Sequence, residues 1–161
     1  MVKTGDVAPD FKLQDEGGKT QDFYGKLSKS APLLVIFYKN NCPTCQFTFP
    51  HLAKIGKTLG PDHFLAIAQD SVSDAVAFKQ KYGFNFEVWS DVTPYPVSVA
   101  YGLDFVPTFF VIEKDKKISL IAEGFDKKAI EDFSARIAAE KKLTSYQAFD
   151  PAIQVPLLKP G

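Results

Sequence analysis

The chain is short of several things, and each shortage closes off a function. Among 161 residues there is one arginine, Arg136, so any chemistry that needs an arginine clamp on an anion has a single candidate. There is no excess of either charge: 19 Lys+Arg against 19 Asp+Glu give a formal net charge of +0. Nucleic-acid binding needs a basic excess to displace counterions, and a polybasic membrane contact needs the same, so neither is expected. No apolar run approaches the ~20 residues that span a bilayer. The opening, MVKTGDVAPDF, has no basic stretch followed by an apolar one. If Met1 is the native start, a cytoplasmic location is expected; export is the alternative if a leader has been trimmed. Two cysteines are too few for a disulfide framework.

What is present is a single-domain quantity of core, with 45% hydrophobic and 14% aromatic residues. Phe11–Asp15, the turn Glu16-Gly17-Gly18-Lys19, and Thr20–Phe23 read as an N-terminal β-hairpin. Leu33–Phe37 is a continuous apolar run, which suits a strand buried on both faces. Cys45, Thr48, Leu52, Ile55 and Leu59 recur every three or four residues, so 43–59 is a helix, stopped by Gly60-Pro61. Phe64–Ala68 is a second buried strand, and Ser71 with Asp74 opens a helix that closes near Gly83. Glu87–Trp89 is a short strand, and 92–102 is a loop with a helical turn. Thr108–Ile112 and Ile118–Ala122 flank a polar turn and form a hairpin; Asp126 caps a last helix carrying Ile130, Phe133 and Ile137. Parallel units first and an antiparallel hairpin last make a three-layer α/β domain over 1–142. The segment 143–161, with prolines at 151, 156 and 160, is expected to lie extended on the surface.

The chemistry sits in Cys42-Pro43-Thr44-Cys45, between a buried strand and a helix. Residues three apart at a helix start can bring their sulfurs within disulfide reach. The first sulfur stands where unpaired N–H groups and the macrodipole favour negative charge. Pro43 suits the first helical position, where its missing N–H has no partner to lose. Cys45 lies one turn inward. Cys42 is therefore the attacking sulfur, Cys45 the resolving one, and the chemistry is thiol–disulfide exchange. Two plainer readings compete. A zinc half-site would need His51 and His63, but the intervals of five and eleven residues do not fit a zinc-finger spacing. A structural disulfide closing so small a loop would stabilise weakly. No metal and no cofactor are expected, and both histidines read as ordinary surface or core residues.

Val106-Pro107-Thr108 stands just before a strand, and with the upstream CxxC the sequence resembles the thioredoxin superfamily. Gly5-Asp-Val-Ala-Pro-Asp-Phe11 resembles the GxxAPDF opening of its redoxin branch, the alkyl hydroperoxide reductase and thiol-specific antioxidant proteins together with the cytochrome-maturation reductases. The resemblance implies a thioredoxin-like fold, a mixed central sheet flanked by helices. It also implies a cis Pro107, Val106 offering backbone bonds to an extended substrate, and Pro43 and Thr44 lining the same site. It implies a disulfide-bearing protein or small thiol as substrate, an upstream thiol reductant, and a monomer.

The departures bear on mechanism. Asn41 replaces the tryptophan of thioredoxins, and Ile36 their buried acid; Thr48 replaces the glutamate of the cytochrome-maturation reductases. The usual proton acceptor for Cys45 is thus missing, leaving water, Lys39 or another group. Peroxiredoxins, the first alternative, place their reactive cysteine at Cys45, but their Thr or Ser is Cys42 here, their proline is Tyr38, and their arginine aligns with Pro107. A redox-responsive binding module without turnover is the second alternative. Copper carriage would need a wider cysteine spacing. Among the 15 phenylalanines, Phe37, Phe47, Phe49, Phe109 and Phe110 flank the site. Most are expected in the core and one or two on an apolar rim. Tyr95 and Tyr101 are candidates to line the same groove.

Overall fold

A computed structural model describes residues 1–161. Seven strands form one sheet: β1 (Lys12–Gln14), β2 (Thr20–Asp22), β3 (Leu33–Tyr38), β4 (Phe64–Ala68), β5 (Glu87–Ser90), β6 (Thr108–Ile112) and β7 (Ile118–Glu123). Their order is β2-β1-β5-β4-β3-β6-β7. β3 runs parallel to β4 and β4 to β5, while β6 lies antiparallel to β3 and β7. The N-terminal hairpin is present, and β1 extends the sheet by pairing with β5.

All six residues of β3 are buried, and its alternation divides the core. Leu34, Ile36 and Tyr38 join one apolar layer with the helices α2 (Pro43–Leu59), α3 (Val72–Tyr82) and α5 (Lys127–Glu140). Leu33, Val35 and Phe37 join the other with α1 (Phe23–Ser30) and α4 (Pro96–Tyr101). The phenylalanine wealth goes mainly into the first layer, where Phe49 meets Tyr38, Phe78 and Phe84 at centroid separations of 4.5, 5.1 and 5.0 Å. Such contacts add to the area that large rings remove from water.

Ser71 and Asp126 cap α3 and α5 through side-chain oxygens that accept from Asp74 and Ala129 N–H. Two differences from the sequence reading stand out. The second hairpin strand stops at Asp22, which caps α1 by accepting from Gly25 N–H, so Phe23 belongs to a helix and not to the strand. The residues after 142 lie mostly at the surface, and they are anchored to the domain along their length. Tyr146, Ala148, Phe149 and Val155 pack against the first apolar layer. Leu158–Lys159 forms β9 against β8 (Phe125–Asp126). Tyr146, Phe149 and Val155 have apolar surface to set against the core, and they anchor a segment that otherwise stays exposed.

Candidate functional site

Strand β3 ends at Tyr38, four residues carry the chain past its C-terminal end, and α2 begins. Cys42 is the N-cap of α2: its sulfur accepts the Cys45 N–H at 3.2 Å, the place a serine or threonine oxygen takes in an ordinary cap. A thiolate there meets an unpaired amide and the positive end of a helix of 17 residues. The approach is held by Cys42 N–H to Lys39 carbonyl at 3.2 Å, Gln46 Nε2 to Asn40 carbonyl at 2.9 Å, and Asn40 N–H to Asp70 Oδ2 at 2.9 Å. Cys42 is half-buried and Cys45 is 0% exposed; both are free thiols. Burial first, and the Cys42 sulfur second, push the Cys45 thiol far above its ordinary range. The two sulfurs thus differ as the sequence suggests, one accessible at a helix start and one sealed in the core.

Opposite them, the Val106–Pro107 peptide bond is cis. Cys42 Sγ donates to Val106 carbonyl at 3.5 Å. Thr108 Oγ1 donates to Phe105 carbonyl at 2.7 Å, and Gly124 N–H to Pro107 carbonyl at 2.8 Å, so the turn is fixed from both sides. Val106 N–H has no partner within the chain. Pro43 is exposed beside Cys42, whereas Thr44 is buried, its hydroxyl donating to Pro160 carbonyl at 2.5 Å.

Ile36 lies wholly in the core. Thr48 is also buried, and its hydroxyl donates to Thr44 carbonyl at 2.7 Å, so its proton is committed to the helix backbone. Tyr38 packs on Phe49 and Phe78, with a buried hydroxyl that finds no partner. Arg136 is engaged elsewhere, held by Glu113 through two bonds of 2.9 and 2.7 Å. Of the flanking aromatics, Phe37, Phe49, Phe109, Phe110 and Tyr101 are core; Phe47 stays half-exposed on α2 and forms the rim. Tyr95 accepts from Lys39 Nζ at 3.3 Å. Sequence reasoning missed Asp70, a half-buried carboxyl pushed up by burial, whose charge acts on both Tyr38 and Cys45. It also missed residues 157–161, which reach the site.

A match to the AhpC/TSA family model spans residues 4–121. The chain belongs to the AhpC/TSA family. It is 26% identical over 129 residues to the thiol-disulfide oxidoreductase ResA of Geobacillus thermodenitrificans, covering 76% of this chain and 71% of that one. A solved structure assigned as the thiol:disulfide interchange protein DsbE of Chlorobium tepidum superposes with a TM-score of 0.72 at 25% identity, covering 86% of this chain and 98% of that one. The peroxidoxin BcpB of Mycobacterium tuberculosis shares the fold, with a TM-score of 0.70 at 23% identity over 87% of this chain and 98% of that one. No helix in this AhpC/TSA chain is long and apolar enough to cross a membrane.

Neither histidine is hydrogen-bonded to a sulfur. His63 Nδ1 is bonded to Pro32 carbonyl at 2.8 Å. His51 packs among Phe47, Phe125 and Phe149, and burial, with Lys54 second, holds its pKa below the ordinary 6.5. The fold therefore favours neutral His51, and the unfolded chain binds the proton more readily. Its contribution to stability is whole above pH 6.5 and is lost as pH falls from there through the lower folded value. Melting temperature should decline over that window, and His51→Gln should flatten the decline.

Proposed function

We propose that this chain exchanges a Cys42–Cys45 dithiol or disulfide with disulfide-bearing proteins or small thiols. The observation that carries the reading is the placement of Cys42 Sγ, capped by Cys45 N–H at 3.2 Å and facing the Val106 carbonyl at 3.5 Å. The reduced protein attacks with the Cys42 thiolate on a substrate sulfur. The substrate's S–S bond breaks, one substrate sulfur leaves as a thiolate, and a mixed disulfide remains. Cys45 then gives up its proton and attacks Cys42, releasing the second substrate sulfur and closing the Cys42–Cys45 disulfide. Two electrons pass to the substrate, and an upstream thiol reductant restores the dithiol. The similarity to the thiol-disulfide oxidoreductase ResA and the thiol:disulfide interchange protein DsbE supports this class of chemistry. Val106, with its free N–H, supports an extended substrate laid beside Pro107.

Equilibration against glutathione tests the reading: the two cysteines should titrate as one two-electron couple. A potential below roughly −250 mV makes the protein a reductant, and one above roughly −180 mV an oxidant or isomerase. Two independent one-electron-equivalent thiols would defeat it.

Peroxide chemistry is disfavoured on the same geometry, because the only arginine is paired with Glu113 and neither sulfur has a cationic partner. Hydrogen peroxide should oxidise the reduced protein at about the rate of an ordinary thiolate. Stopped-flow rates many orders of magnitude faster would restore the peroxidase reading.

A further inference from the structure

Residues 157–161 lie across the face of the site, and the exchange chemistry has no use for them. Their course is set by backbone pairing. Lys127 N–H donates to Leu157 carbonyl at 2.9 Å, and Leu158 and Lys159 stand opposite Asp126 and Phe125 in an antiparallel ladder. Lys159 Nζ lies 5.3 Å from the centre of the Phe47 ring, the rim residue. Pro160 carbonyl accepts the Thr44 hydroxyl. Gly161 rests so closely on the turn before Pro107 that a Cβ added there would collide with the Val106 carbonyl oxygen and lie 2.9 Å from the Phe105 ring. That carbonyl is the one facing Cys42 Sγ.

The same five residues are held by little apolar burial. Leu157 and Leu158 are 71% and 68% exposed, so the segment is seated by backbone bonds, one hydroxyl and one cation over a ring. Apolar area is what makes a docked strand hard to remove, and here it faces water. A segment of this kind can be exchanged for another extended chain that makes the same backbone bonds.

We propose that residues 157–161 are a built-in, displaceable strand over the substrate groove, seated on Phe125–Lys127 with Gly161 against the Val106 carbonyl, and that an extended, disulfide-bearing polypeptide displaces them to reach the free Val106 N–H. The proposal rests on the exchange reading above and deepens it by naming the substrate class. Once the partner strand is seated, the Cys42 thiolate attacks the partner's disulfide; that S–S bond breaks and the distal sulfur leaves as a thiolate. Small disulfides need no such displacement, since Cys42 is only half-buried with the segment in place.

The test uses the full chain with two substitutions. Gly161→Val forces a side chain against Val106. Lys159→Pro removes an N–H at a position two residues from the bonded Leu157, where an antiparallel ladder exchanges its bonds. Hydrogen exchange at the Lys127 amide reports whether the segment is seated. Reaction of the dithiol form is followed with a short extended peptide whose cysteine carries a 2-thiopyridyl disulfide, and with 2,2′-dithiodipyridine alone. Lys127 exchange should accelerate, and the peptide reaction should rise about tenfold, the equivalent of one or two net hydrogen bonds. The small reagent should change by less than about twofold, because displacing the segment is no part of its reaction. Faster Lys127 exchange with an unchanged peptide rate overturns the proposal. Equal acceleration of both reagents overturns the substrate class, and persistent Lys127 protection in both variants overturns the mode of seating. If the unaltered protein exchanges with neither reagent, the exchange reading itself fails.

Discussion

Replacing Cys42 by serine is expected to reduce disulfide exchange to the uncatalysed background while leaving the fold intact. The reason lies in the double role of the sulfur. As N-cap of α2 it accepts the Cys45 N–H, and serine is among the best residues for that task. The cap survives the substitution, so the loss is chemical. Cys45 cannot take over as attacking group, because it is fully buried and its burial disfavours the thiolate. Cys45→Ala is expected to behave in the opposite sense. The first attack proceeds, the mixed disulfide has no resolving thiol, and partners accumulate in covalent complex with Cys42. Alanine serves better than serine at this position, since an unpartnered hydroxyl in that apolar layer would cost about 1–3 kcal/mol of its own. Iodoacetamide at neutral pH checks the assignment without mutation: Cys42 should be alkylated first, and faster labelling of Cys45 would reverse the two roles.

How much of this was legible beforehand depends on how local the signal is. The β3–α2–β4 unit could be read because an apolar run, a proline at the first helical position and a 3.6-residue stripe lie side by side in the chain. The cysteine pair came with it, since helix geometry alone brings positions three apart together. Helix α1 was hidden for the same kind of reason. It has eight residues with only Phe23 and Leu27 facing inward and a glycine at 25, so it offers hardly more than one i, i+4 pair, and a strand reading absorbed Phe23. The seating of residues 157–161 depends on contacts across the fold. Pro160 meets a hydroxyl 116 positions away, and no window along the sequence contains both. Asp70 and Asp91 belong to this class as well. An isolated aspartate after a strand reads as a solvated turn residue until the element folded over it is known.

Asp91 carries the second large expectation. It follows β5 and is 0% exposed, yet its carboxylate is fully engaged. It accepts from Val97 N–H at 3.1 Å and from Ser98 N–H and Oγ at 2.8 and 2.7 Å, and so holds the start of α4. Gln69 Nε2 joins this cluster through Ser98 Oγ at 3.0 Å. Asp91→Ala leaves three donors buried with nothing to accept them and opens a void where the carboxylate stood. A buried donor left without an acceptor costs about 1–3 kcal/mol, so three of them, partly relaxed, should cost about 3–5 kcal/mol together. For a chain of this size that corresponds to a fall in melting temperature of roughly 6–20 °C. Asp91→Asn keeps the shape and one carbonyl acceptor, and the loss should be smaller. The effect should reach the site as well, because α4 runs into the segment that ends in Val106 and Pro107, and Leu103 N–H is tied back to the Ser98 carbonyl at 3.1 Å. With the start of α4 loosened, the Val106 carbonyl should no longer be held facing Cys42, and exchange with an extended peptide should slow more than exchange with a small disulfide. Thermal unfolding and the two exchange rates, measured below the new melting point, check both halves. A large loss of stability with an unchanged ratio of the two rates would confine Asp91 to holding the helix.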